Sequence, residues 1–465
     1  MSRLQKLLFV ACGVFSGLAG AAEPFFDDPL RTEEALHLRG ASLLASRVAE
    51  RPCADVLPGR PLTAADVVDI ALCRQPQTRE AWAAARAQAA QLGVARAAWL
   101  PTLDARLATS RNTIDGRSSK QQNANLSLSW FLFDGGESSA NEDNAAALLD
   151  MALANRDSIA QAVFLAALQA YYNAQATQAA VVAAQQNERS AQESLAAAEL
   201  RYQVGTATPA DRLQAQTAAS QARLARQRAE GEARNAQGVL ANALGFPAAT
   251  GFTLVAAEPL GEVAAFQRDV DSLIRAALEQ RPDLKAAAAQ LRAVEASIEA
   301  ARAQGRPSVS LNAGPNWQRI EGDRSRGNSV GLVLNVPIFT GFENSYRIRA
   351  AQAQREVRLA QNERLQNQVT LDVWQAYQRL QTAAEAVQTT RDLLASAEQS
   401  ERVALGRYKA GVGTVLDVLN AQSALAAARM QRIQSELDWY VYRAVLAQAM
   451  GALDDSLLAA APERP

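Results

Sequence analysis

The chain has 465 residues, 47 Lys+Arg against 48 Asp+Glu, a single histidine, three cysteines and 6% aromatic residues. A net charge of −1 offers nothing for a polyanion to bind, which sets charge-driven nucleic-acid recognition aside. One histidine, His37, removes His-clustered metal sites and a Ser-His-Asp triad, and no cofactor is expected.

At the N-terminus, Arg3 and Lys6 precede an apolar run from Leu7 to Leu18 that ends in Ala19, Gly20, Ala21 and Ala22. This is the layout of a secretory signal peptide over residues 1–22. About 12 apolar residues fall short of the ~20 that span a bilayer as helix. Cys12 lies inside the run and reads as an ordinary signal residue. An N-terminal extension, 23–62, carries Cys53, and Cys73 follows in the next segment. In an oxidising compartment these two thiols are expected to pair, two reduced buried cysteines being the alternative. Past residue 22 no uncharged apolar run reaches 18 residues, so an exported soluble protein or a β-barrel remains.

The rest of the chain is a duplication. Pro76 returns as Pro282 (282 − 76 = 206), and the same offset relates Pro101 to Pro307, Gly135 to Gly341, Tyr202 to Tyr408, Gly205 to Gly411, Asp211 to Asp417 and Gly245 to Gly451. The first copy covers 63–250, a linker 251–268, the second copy 269–455 and a C-terminal tail 456–465.

Each copy reads as helix, two strands, long helix, short helix. The first helix of copy one is expected over 63–98. After Pro101 the pattern changes to period two, with Leu103, Ala105, Leu107 and Thr109 on one face, then Leu126, Leu128, Trp130 and Leu132. Each run is about ten residues, enough for a tilted strand to cross a bilayer. The segments 111–122 and 315–328, rich in Arg, Asn, Asp, Gly, Ser and Gln, read as exposed hairpin loops. Residues 137–204 hold neither Gly nor Pro. At 1.5 Å per residue they make a helix of about 100 Å, which needs coiled-coil or bundle partners. A shorter helix over 209–244 follows; end to end with the first it matches the long one. Copy two repeats the strands as Val309, Leu311 and Ala313, then Val330, Leu332, Leu334 and Val336. Its long helix shows a seam, Val369, Val373, Ala376, Leu380, Ala383 and Val387, in steps of four and three.

Four strands with one apolar face cannot close a barrel, and open edges are not tolerated in lipid. The chain is therefore expected to assemble, and a trimer would give 12 strands. A periplasmic structural coiled coil carrying soluble hairpins is the alternative. Between the long and short helices, Arg201-Tyr202, Gly205, Thr208 and Asp211 recur as Arg407-Tyr408, Gly411, Thr414 and Asp417. Glycine ends one helix, threonine caps the next, Pro209 suits its first turn, and the aspartate complements the helix N-terminus.

The signal peptide, the constant-offset duplication, the strand pairs inside long Ala-rich helices and the Tyr-x-x-Gly turn together resemble the TolC family of outer-membrane channels. The resemblance covers the chain from about residue 63. It implies a mainly α fold with a β-barrel contribution: a homotrimer whose 12-stranded barrel in the outer membrane is continuous with an α-helical coiled-coil tunnel across the periplasm. It also implies a non-enzymatic exit duct in contact with outer-membrane lipid. Its helical tip would dock onto a periplasmic adaptor, or membrane fusion protein, and an inner-membrane ABC or other transporter. The opening Ala71-Leu72-Cys73-Arg74-Gln75-Pro76 and the N-terminal stretch look most like the type I secretion branch serving RTX toxins, the CyaE-like channels. Multidrug or small-molecule efflux is the alternative, since both would use the same tunnel.

In the family the repeated turn forms the periplasmic tip. Matched residue by residue, Tyr408 and Asp211 are the gate latch and Asp417 supplies a charged ring at the pore constriction. This sequence departs from the usual pattern in two places: Asn420 stands where a second ring aspartate is usual, and Gly413 where the latch has a basic residue. The tip turns, with Gly205, Thr208, Gly411 and Thr414, are the implied points of adaptor docking.

Overall fold

A computed structural model describes residues 28–39, 60–255, 269–321 and 323–453. The signal peptide, Cys53, most of the linker and the C-terminal tail lie outside the described residues. Along the chain come α1 (Thr32–Arg39), α2 (Ala64–Arg74), α3 (Pro76–Ala97), β1 (Thr102–Ile114), β2 (Arg117–Phe133), α4 (Glu137–Gln203) and α5 (Pro209–Ala243). Then come α6 (Val270–Gln280), α7 (Pro282–Ala303), β3 (Ser308–Ile320), β4 (Asp323–Asn335), α8 (Glu343–Lys409) and α9 (Val415–Ala449). Each element from α2 to α5 starts 206 residues before its counterpart, as 64 + 206 = 270 for α2 and α6 and 209 + 206 = 415 for α5 and α9. No described helix is long and apolar enough to cross a membrane.

The opening helix of each copy differs from the expected single rod over 63–98, because it is broken in two at a proline. Pro76 and Pro282 have no N–H, and each disfavours a helical residue before it. Gln75 and Arg281 accordingly turn to ψ 128° and 127°. In copy one the hydroxyl of Thr78 donates to Leu72 O at 2.9 Å, the acceptor that a helical N–H at position 76 would have used. Thr63 caps α2 in a reciprocal box with Asp66. Cys73, near the end of α2, is disulfide-bonded.

The chain divides into two compact units. The first holds 83–153 and 286–362 together with α1, and its centre is the four-stranded antiparallel sheet β1-β2-β3-β4. The strands have 13, 17, 13 and 13 residues, longer than the ten expected. The segments read as hairpin loops are strand nearly throughout, since Arg111 pairs with Lys120 and Asn316 with Gly327. The first turn shrinks to Asp115-Gly116, both at positive φ (50° and 77°), which suits a two-residue hairpin. Polar composition had hidden strand backbone whose side chains are exposed on both faces.

Register makes one sheet face apolar. Leu103 opposes Leu128, Leu128 opposes Ala313, Leu311 opposes Trp130 and Leu332, and Val309 opposes Leu334. On the two outer strands these side chains lie open, Leu103 at 64% and Leu332 at 65% exposure, while Leu128, Val309, Leu311 and Ala313 on the inner strands are half-buried. The expected column through Leu132 is interrupted, because a bulge between Phe131 and Phe133 sets Phe133 opposite Val309. On the other face Asp104 opposes Ser127, Arg106 opposes Asn125, and Ser129 donates to Asn312 Oδ1 at 2.6 Å.

The second unit holds 60–82, 154–255, 269–285 and 363–453 of the described residues. Its larger core joins Val67, Val68 and Leu72 of α2 to Phe164, Leu168 and Tyr171 of α4 and to Leu240 of α5. The α8 seam is buried along its whole length, Val369 and Val373 fully and Leu380 at 4% exposure, and its upper part packs on Leu273 and Ala277 of α6 and Leu446 of α9. Leucine, valine and alanine share these contacts, with Ala160, Ala167 and Ala170 of α4 and Ala376 of α8 among them.

Candidate pore constriction and gate

The two tip turns are built alike. After α4, Gly205 takes φ 79° and Thr206 N reaches back to Arg201 O at 2.8 Å; after α8, Gly411 takes φ 77° and Val412 N reaches Arg407 O at 3.0 Å. The left-handed glycine lets the chain reverse while the last carbonyls of each long helix stay bonded. Thr208 and Thr414 then start α5 and α9 through matching capping boxes with Asp211 and Asp417.

Asp417 is exposed, accepts from Thr414 N at 3.1 Å, and donates its own N–H to Thr414 Oγ1 at 3.2 Å. The Thr414 N–H, then its hydroxyl, and beyond them the charge of Arg407 hold the Asp417 carboxyl below the usual carboxylate range. Asp417, Asn420 and Arg407 line one open groove of about 540 Å³. The structure thus brings the two expected constriction residues together on one helix face.

It does not bring Tyr408 and Asp211 together. Asp211 Oδ2 accepts from Thr208 N at 2.9 Å and from Thr208 Oγ1 at 2.8 Å, and among the described residues no hydrogen bond joins it to Tyr408. Tyr408 is instead buried against Val415 and Val418 of its own hairpin. Arg201, at the end of α4, holds it from the other copy: its Nη2 donates to Tyr408 O at 2.7 Å and its guanidinium lies 4.0 Å above the ring. Tyr202, the repeat counterpart of Tyr408, is 38% exposed and has the Arg212 guanidinium 4.8 Å from its ring centre. Two turns that share Arg, Tyr, Gly, Thr and Asp therefore hold their tyrosines differently.

Gly413 allows this packing, since a Cβ there would lie 3.0 Å from Tyr408 N and 3.1 Å from Arg407 Cβ. Further along the same helices, Ser194 of α4 and Gln422 of α9 bond each other where both are buried, at 3.1 Å from Gln422 Nε2 to Ser194 Oγ. The motif match could not single out Arg201, Ser194 or Gln422. The one available signal for Arg201 was its repetition as Arg407 before the second tyrosine.

A sequence profile of the outer membrane efflux protein family matches residues 67–246 and 273–452, again 206 apart (273 − 67 = 206). The chain belongs to the outer membrane efflux protein family. It is 32% identical over 410 residues to Protein CyaE of Bordetella pertussis, covering 86% of both chains. It is 30% identical over 181 residues to outer membrane efflux protein BepC of Brucella suis, covering 38% of this chain and 40% of that one. Among solved structures, the CusC channel superposes with a TM-score of 0.75 at 21% identity, covering 86% of this chain and 98% of that chain. The Campylobacter jejuni CmeC outer membrane channel gives 0.75 at 18%, covering 89% and 91%. As an outer membrane efflux protein the chain is a channel component of tripartite export systems, a trimeric duct and not an enzyme. It sits in the outer membrane with its helices in the periplasm, where members of the family dock with adaptors and inner-membrane transporters.

Proposed function

We propose that this channel is the exit duct of a type I protein secretion machine, passing a toxin-class polypeptide from an inner-membrane ABC transporter through an adaptor docked at the tip turns. What supports the reading is the extent of the similarity to Protein CyaE, which spans most of both chains, whereas the match to BepC spans about two-fifths of each. The opening Ala71–Pro76 supports it as well. The test is deletion of the gene in the organism that carries it, followed by assay of extracellular protein and of drug susceptibility. Loss of one or a few secreted proteins with unchanged susceptibility is expected. Unchanged secretion with increased drug sensitivity would assign the duct to small-molecule efflux, the reading favoured by the 30% identity to BepC.

The gate reading concerns the same tip. Asp417 forms the charged ring of the constriction with Asn420 beside it, and Tyr408 and Asp211 form the latch of the closed trimer. The Arg201–Tyr408 contact supports a tether between the two hairpins that takes over from the basic residue replaced by Gly413. The turns carrying Gly205, Thr208, Gly411 and Thr414 receive the adaptor. Cys53 is the partner of Cys73 in the disulfide.

A further inference from the structure

The apolar column of the sheet stops short of the hairpin ends. Leu107, Ala124, Trp317 and Arg326 pair in one row across all four strands, and the next row outward is Thr109, Gln122, Arg319 and Arg324. Paired residues of an antiparallel sheet share a face, and so do residues two apart along a strand. Arg319, Arg324 and Arg326 are therefore neighbours on the face that carries the leucines. With Trp317 they line a groove of about 450 Å³. All three arginines are exposed and Trp317 is 43% exposed. Among the described residues none of the three has an ion pair or a side-chain hydrogen bond.

Their height on the barrel wall decides what they meet. Val309 and Leu334 pair near the helical end of the sheet, and Trp317 and Arg326 pair eight residues further on (317 − 309 = 8). Eight residues measure about 27 Å along a strand, or about 21 Å of height at a tilt of ~40°, and ten residues, which reach the Arg319–Arg324 row, give about 26 Å of height, so the two rows bracket the edge of the roughly 25 Å apolar band of an outer-membrane barrel. Helices leave from the other end and lie in the periplasm, so the hairpin turns face outward. The three guanidiniums stand where outer-leaflet hydrocarbon gives way to headgroups, with Trp317 as the interfacial aromatic. Guanidinium forks match phosphate oxygens bidentately, and the trimer repeats the cluster three times. Two acids are close by: Asp323, paired with Ile320 and so on the other face from Arg324, and Glu321 in the turn, whose N–H donates to the Lys120 carbonyl at 3.1 Å.

We propose that Arg319, Arg324 and Arg326 bind the phosphate groups of a phosphorylated glycolipid in the outer leaflet, its acyl chains lying on Trp317 and Leu107. A soluble anion would use the guanidiniums and leave that adjoining apolar wall idle. The site does not depend on which cargo the duct carries.

The test incubates purified trimer with diphosphoryl lipid A in detergent and counts bound lipid by native mass spectrometry. Replacing all three residues together (Arg319→Gln, Arg324→Gln, Arg326→Gln) should weaken binding by on the order of a hundredfold, at roughly fivefold per cation facing anionic lipid. Dephosphorylated lipid A should bind the wild-type trimer as weakly as the variant binds the diphosphoryl form. Equal binding by the variant, or by the dephosphorylated lipid, overturns the proposal. Displacement by stoichiometric inorganic phosphate also overturns it, in favour of a soluble anion. If the variant does not trimerise, the wild type decides: its lipid binding should fall steeply from low to physiological ionic strength, and a flat dependence refutes the site.

Discussion

The cap of Asp417 favours its charged form. The Thr414 N–H and hydroxyl favour its ionised form and lower its pKa from the ordinary value of 3.8. A carboxyl depressed in the folded state adds stability above its unfolded pKa, and that contribution is lost as pH falls through the lower folded value. Asp417 should therefore still carry charge in the channel near pH 4, where an unperturbed aspartate is about half protonated. Bilayer recordings should show Asp417→Ala reducing cation selectivity or cation block at neutral pH and again at pH 4. Unchanged selectivity in a stable Asp417→Ala trimer would leave the residue only its helix-start role. The tether makes a second residue-scale prediction. Arg201 grips Tyr408 through its carbonyl and ring face, so Arg201→Ala should raise single-channel conductance more than Tyr408→Phe, which keeps both. The reverse order would make the Tyr408–Asp211 latch the stronger closure and leave Arg201 a packing role.

Elements respond to substitution according to the face on which a side chain lies. Leu332 sits in the apolar column opposite Leu311, and Val333 sits on the opposite face, opposite Ser310. Arginine on the lipid face costs about 2–4 kcal/mol at the midplane and about 0–1 near an interface, and Leu332, two residues inside the Val309–Leu334 row, lies between these limits. Leu332→Arg should sharply reduce the yield of trimer in outer-membrane fractions, and Val333→Arg should not; equal losses would refute this assignment of faces. At the helix break, Thr78 is buried and its hydroxyl serves the carbonyls of Leu72 and Gln75. Thr78→Val would leave Leu72 O without that donor, at a cost of about 1–3 kcal/mol, read as a lower melting temperature by circular dichroism.

For the whole molecule, association and covalent closure can be checked directly. A four-stranded sheet leaves the outer edges of β1 and β4 unpaired, and only a closed ring of chains satisfies them in lipid. Residue pairs engineered to cysteine across the β1 edge of one copy and the β4 edge of the next should crosslink into trimers; monomers alone would contradict the closed barrel. Within each chain, Cys53 and Cys73 should resist maleimide until a reductant is added, and labelling of both beforehand would break the proposed pair. Much of this was legible in the linear chain, because composition and period are local. The 206-residue offset, the Gly- and Pro-free stretch 137–204, the α8 seam and the turn motif all reappear as elements with matching starts. Strand ends and side-chain partners were not legible, because cross-strand pairing can recruit polar residues such as Asn112 and Ser119 that have no apolar alternation to announce them, whereas the helix breaks were signalled by Pro76 and Pro282 and simply read through. Two turns built on the same five motif residues likewise received different neighbours. Tyr408 lies under an arginine from the other copy and Tyr202 under Arg212 of its own, because that contact depends on how the two hairpins pack as well as on local differences such as Gly413 against Ala207. Local periodicity was thus enough to specify the duplicated helix-strand architecture, while the tertiary packing alone decided that Arg201 would hold Tyr408 and that three arginines would meet on one face of the sheet.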